Sequence, residues 1–146
     1  MTKTITSLAG ALLFAIAFPA AAEDYFDGSH TLLCTIAAIF ECSVGSGCSR
    51  VTAEEVDAPN YFLVDFNQKI LVTTRAHDER RESAIENMET VDDKLIVQGI
   101  EDGRDDVPND GVGWSMAVND DDGGMVISAV TDGAALTGLG WCVPTD

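Results

Sequence analysis

Short apolar runs of six to nine residues, separated by turn-forming clusters, punctuate the chain from about residue 60 onward. Val112, Trp114, Met116 and Val118 fall on one face of an extended segment, and Gly113, Ser115 and Ala117 on the other. Met125, Ile127 and Ala129 repeat the pattern, as do Phe62, Val64 and Phe66 against Tyr61, Leu63 and Asp65. Alternation with period two is the mark of a strand with one buried face. Leu95, Ile96 and Val97 are consecutive and predict a strand covered on both faces.

The separators carry turn chemistry. Asn67-Gln68, Asp92-Asp93, Asn119 to Gly124 and Asp132-Gly133 each divide two apolar runs. Thr31–Cys42 is apolar almost throughout, and its β-branched residues favour a strand over the helix that Ala37-Ala38 would suit. Glu79–Met88 holds many helix formers but reads as a loop followed by a strand from about Ser83. Ser43–Pro59 and Glu101–Gly111 read as long polar connections. The expectation is an all-β fold, an antiparallel meander of about eight strands. It would close as an up-and-down or half-open barrel, with a β-sandwich as the alternative.

The first residues follow another logic. Lys3 precedes an apolar run from Leu8 to Phe18, then Pro19 and Ala20-Ala21-Ala22. This is the pattern of a signal peptide over 1–22. As a helix, about 11 apolar residues rise only about 16 Å, against a hydrocarbon core of about 30 Å. No later segment is apolar enough to span a membrane as a helix. The reading places a single disulfide-bonded domain over 23–146 in the periplasm or outside the cell.

Charge narrows the partners. The chain carries a formal net charge of −17, and residues 1–22 hold one lysine and no acid, so the remainder carries −18. Such a surface disfavours nucleic acid and anionic lipid. It admits a basic protein or a divalent cation.

Cys34, Cys42, Cys48 and Cys142 form an even set, and none is spaced as C-x-x-C. In an exported chain this predicts two disulfides rather than zinc or a redox dithiol. In an up-and-down barrel the first and last strands are neighbours. Cys34–Cys142 would then pin the seam and Cys42–Cys48 would close a small loop. Cys42–Cys142 with Cys34–Cys48 is the alternative pairing.

These features occur in a fixed order: Phe26-Asp27-Gly28, Leu33-Cys34, Glu41-Cys42, Cys48 in a Gly/Ser loop, Val64-Asp65-Phe66, Leu95-Ile96-Val97-Gln98-Gly99, Gly113-Trp114-Ser115-Met116 and Gly140-Trp141-Cys142. The arrangement resembles an uncharacterised family of small exported proteobacterial proteins with four cysteines. The resemblance implies export and disulfides, and brings no activity with it.

Catalytic chemistry finds no foothold in the sequence. His30 lies near the start of the domain, and His77 sits in the charge run 75–81. No nucleophile elbow, phosphate loop or cofactor motif is present. The many carboxylates lie mostly in turns, which favour Asp by geometry alone. Asp102, Asp105, Asp106 and Asp110 in one loop, and Asp120, Asp121 and Asp122 in another, are weak calcium candidates. Neither loop keeps the EF-hand register.

Two binding readings follow. The first is a non-enzymatic protein-interaction module. The second is a calycin-like carrier of a small apolar ligand, with Trp114, Trp141, Phe62 and Phe66 (and Tyr61 beside them) lining its cavity. An enzyme ranks behind both.

Overall fold

The computed structural model describes residues 25–74, 80–103, 111–131 and 133–145. Its described residues form nine strands and no helix. They are β1 (Leu32–Ser43), β2 (Gly47–Val51), β3 (Tyr61–Asp65), β4 (Ile70–Thr74), β5 (Arg80–Val91), β6 (Lys94–Glu101), β7 (Val112–Asn119), β8 (Gly124–Val130) and β9 (Ala134–Pro144).

All neighbours are antiparallel. The strands from β3 to β9 follow one another in order, and β1 pairs with both β3 and β9. That last pairing closes an eight-stranded barrel and excludes the sandwich. The ninth strand, β2, folds back on the second half of β1 and lies outside the ring.

Three expectations from the pattern need correction. The connection expected over Ser43–Pro59 contains β2, and β5 begins at Arg80 rather than near Ser83. Ile96 is half-buried on the outer face, while Leu95 and Val97 point into the core. The strand is therefore covered by protein on one face, and its outer apolar residue joins a row with Ala117, Val126 and Leu139.

The alternation seen in the sequence fills the interior. Phe62, Val64, Leu95, Val97, Met116, Val118 and Met125 are all buried, together with Leu32, Cys34 and Cys142. This dry packing occupies one end of the barrel. The start of β1, the end of β9 and the β3–β4, β5–β6 and β7–β8 turns all lie there. Phe26, from the segment preceding β1, packs on the same core and closes that end.

The turns obey their residues. Asp92 and Asp93 both take positive φ, 46° and 60°, as a two-residue type I′ hairpin requires. In the β7–β8 turn, the Asn119 amide and the Gly124 N–H both donate to Asp122 Oδ1, at 2.9 and 2.8 Å.

A bulge in β1 decides the cysteine pairing. Cys34 and Cys42 are eight residues apart, so an unbroken strand would place both on the same face. The register against β9 shifts between Ile36 and Ala38, and one extra residue reverses the alternation. Cys34 stays in the core opposite Cys142, while Cys42 faces away from the interior opposite Cys48. The disulfides are Cys34–Cys142 and Cys42–Cys48, and the described cysteines include no free thiol.

Next to the bulge, Gly138 and Gly140 of β9 provide clearance. A Cβ on Gly140 would overlap the Thr35 carbonyl oxygen, and one on Gly138 would press on Ile127 and Ile36 at 3.0 and 3.3 Å.

Candidate functional site

Among the described residues, the end of the barrel away from Phe26 is not filled. A cavity of about 300 Å³ occupies it, opening among the described residues towards the end where β1 gives way to β2. Its apolar wall includes Ile36 and Ile39 of β1, Phe62 of β3, Leu71 of β4, Val112 of β7, Ile127 and Ala129 of β8 and Leu136 of β9. Val56–Pro59, in the connection between β2 and β3, covers one side. β3 is only five residues long, so it leaves the upper part of β1 to β2 and this connection.

Small residues make the space. Gly138 projects no side chain, Ala129 projects a methyl, and Ala129 is flanked by Trp114 and Leu136 in register. Trp114 stands in the wall, 7% exposed. Its cross-strand partner is Gly99. A Cβ on Gly99 would overlap the Trp114 ring carbons and the Ala84 carbonyl oxygen. The indole thus lies against bare backbone. Its Nε1 is buried and, among the described residues, has no hydrogen-bond acceptor.

One sector of the wall is polar. Thr73, Ser83 and Glu101 line it. Glu101 Oε1 is 2.6 Å from Arg81 Nη2, with both side chains largely enclosed. The Ser83 hydroxyl donates to Glu101 Oε2 at 3.2 Å. The contact with Arg81 is close in distance but is not aligned as a hydrogen bond. The ion pair neutralises itself, so this wall is polar without a net charge.

The structure sorts the aromatic candidates. Trp114 and Phe62 line the cavity. Trp141 does not: it is 59% exposed on the outer face, because Cys142 beside it points inward. Tyr61 is on the outer face as well. Phe66 borders a separate indentation of about 190 Å³ with Lys69, Ile85 and Met88. The polar members Ser83, Glu101 and Arg81 carry no sequence motif. Glu101 could have been placed by extending the inward series Leu95, Val97, Gly99 by one step.

The calcium candidates are divided between opposite ends. Asp102 follows β6 at the open end and is exposed. Asp105, Asp106 and Asp110 lie outside the described residues, as does His77. Asp120, Asp121 and Asp122 lie in the turn at the closed end. Asp122 is committed to that turn: the bonds from Asn119 and Gly124 hold its carboxyl below the usual value of 3.8. Among the described residues, no group of three or more His, Cys, Asp or Glu could hold a metal ion. His30 packs against the Tyr25 ring at 5.6 Å, away from the cavity.

The fold and this space define a class: a closed antiparallel barrel, disulfide-pinned at its seam, with a cavity among its described residues at one end. Compared with known proteins, the chain matches no family model, no curated protein and no solved structure.

Proposed function

We propose that this protein binds a small, largely apolar molecule in the hollow end of its barrel, without chemical conversion. The observation that carries the reading is the cavity of about 300 Å³ among the described residues, walled mainly by aliphatic side chains and Trp114. That volume is at the lower edge of small-molecule sites. An apolar cavity of about 150 Å³ admits benzene, so this one suits a molecule of roughly twice that size.

Titration of the purified, disulfide-bonded protein with alkylbenzenes of increasing chain length tests the reading. Affinity should rise by roughly fourfold per methylene until the cavity is full, from about 0.8 kcal/mol for each CH₂ buried. Saturable binding by no member of the series would reject it.

A second reading, a module that binds a basic protein, draws on the closed end. Asp27, Asp65, Asp92, Asp93 and Asp120 to Asp122 gather there with Lys69 and Lys94. Partners captured through that end would be released between low and high salt. Capture that is indifferent to salt would remove this reading.

A further inference from the structure

We infer that this protein pairs with a second copy of itself through the outer face of its β1–β9 seam, with Trp141 near the centre of the contact. That surface is separate from the cavity, so the inference stands apart from the binding reading above.

The first support is contiguity. Exposed apolar side chains scattered singly are ordinary. Here the strand register gathers them. On the outer face, Trp141 of β9 and Tyr61 of β3 stand on either side of Thr35 in β1. One row towards the filled end, Val143 and Leu63 flank the same strand. One row the other way, Leu139 lies beside Val126 of β8. All of these apolar side chains are exposed among the described residues. Trp141 has only Thr35 and Gly124 opposite it on the neighbouring strands. Its ring therefore stands clear of the sheet, as do the tryptophans that anchor protein interfaces.

The second support is charge. β7, β8 and β9 contain no charged residue, nor does β1 before Glu41 or β3 before Asp65. The whole chain has 25 acids against 8 lysines and arginines, so this sector is set apart. In the ring of eight strands the seam lies opposite the β5–β6 pair. β5 is charged from Arg80 to Glu89, and β6 at Lys94 and Glu101. A strongly basic or acidic partner finds no charge to pair with at the seam. A second copy offers a face equally apolar and equally uncharged, and the two meet about a twofold axis. The charged β5–β6 walls then point away from each other, separated by more than the Debye length of about 8–10 Å.

The third support is area. Five strands (β3, β1, β9, β8 and β7) about 4.8 Å apart, with three rows of outward side chains about 6.7 Å apart, span roughly 24 by 20 Å. That is about 500 Å², against about 800 Å² on each partner of a standard interface. The dimer is therefore weak and reversible, with a dissociation constant in the micromolar range. Asp65 and Asp121 lie at the closed end beside this face. Pairing brings like charges towards the edge of the contact, so salt strengthens it. Capture of a basic protein has the opposite dependence.

Sedimentation equilibrium of the purified, disulfide-bonded protein tests this, from low micromolar to near-millimolar concentration and at low and high salt. The expected result is a monomer–dimer equilibrium that tightens as salt rises. Trp141→Ala should weaken it by at least about thirtyfold, the effect of losing an anchoring side chain. Ile100→Ala removes an equally exposed apolar side chain from the opposite wall and should leave it within about twofold. Both variants should keep the parent's melting temperature. Dilution of the parent gives a second readout: tryptophan emission should move to longer wavelength as Trp141 is released into water, while Trp114 stays buried.

A parent that is monomeric at every concentration in high salt would overturn the inference. So would equal weakening by Ile100→Ala, or a dimer that dissociates as salt rises. Binding of phosphatidylcholine vesicles through Trp141 by a protein that never dimerises would replace the second copy with a lipid surface.

Discussion

Removing the seam disulfide should cost the protein much of its stability while leaving the shape of the barrel unchanged. The perturbation is the pair Cys34→Ala and Cys142→Ala. The two cysteines are 108 residues apart, and a cross-link of that span removes about 16 cal/mol/K from the unfolded chain, or about 4.8 kcal/mol at 25 °C. Cys42 and Cys48 are six residues apart, and the same relation gives them about 2 kcal/mol.

In the folded state the seam does not depend on the bond. β1 and β9 stay paired from Leu32 opposite Pro144 to Ser43 opposite Ala134. The loss should therefore arise from a freer unfolded chain. Native stabilities are about 5–15 kcal/mol, so the seam variant should remain folded at 25 °C with a narrow margin.

Urea unfolding of the parent and the two double variants measures the difference. The seam variant should lose about 4–5 kcal/mol and the Cys42→Ala/Cys48→Ala variant about 2 kcal/mol. The sulfur atoms of Cys34 and Cys142 are buried, so their removal also leaves voids. Reducing the Cys42→Ala/Cys48→Ala variant, which keeps only the seam disulfide, retains those atoms and isolates the chain-entropy share. Equal losses for the two variants would refute the reasoning, since the longer loop and the buried sulfur atoms both make the seam variant the costlier one.

Other outcomes follow from the wall and the turns. Gly99→Ala should dislodge Trp114 and destabilise the barrel by about 1–3 kcal/mol, the usual cost of overpacking, seen as a lower melting temperature and a changed near-ultraviolet dichroism. Ala129→Phe should occupy the cavity, abolish alkylbenzene binding and leave the melting temperature near the parent value, as read by titration and calorimetry. The Asp122 carboxyl should titrate below 3.8, because Asn119 and Gly124 hydrogen-bond its ionised form. A depressed folded value means that its contribution to stability is present above the unfolded value and fades as pH falls through the folded one. Asp122→Asn should flatten that part of the acid unfolding curve, and carboxyl chemical shifts would check the titration itself.

Much of the barrel is legible in the chain because its interior is apolar and its strands are regular. Val112 to Val118 and Met125 to Ala129 alternate without interruption, and the structure buries the faces they indicate. β2 leaves no such trace. It pairs outside the ring, has no interior face to fill, and is exposed at Gly47 to Arg50. The start of β5 is hidden for a different reason. Arg81 points inward, and only its partner Glu101, twenty residues on and in the next strand, makes that tolerable.

The cavity was readable in part. Trp114 and Phe62 occupy inward positions of clear alternation. Trp141 shows how aromatic character misleads when register is not followed. The inward series of β9 is Leu136, Gly138, Gly140 and Cys142, so the tryptophan between the last two faces solvent. The bulge that settles the cysteine pairing leaves no mark in Thr31–Cys42, because any of several adjacent apolar residues could have been the extra one.

The closure of the seam also sets an orientation. The N–H of Thr145 donates to the Thr31 carbonyl at 2.8 Å, so the start of β1 and the end of β9 lie side by side at the filled end. The cavity lies, among the described residues, towards the other. A reporter, linker or immobilising tag joined at Tyr25 or Thr145 would hold the barrel by its base and leave the mouth facing outward.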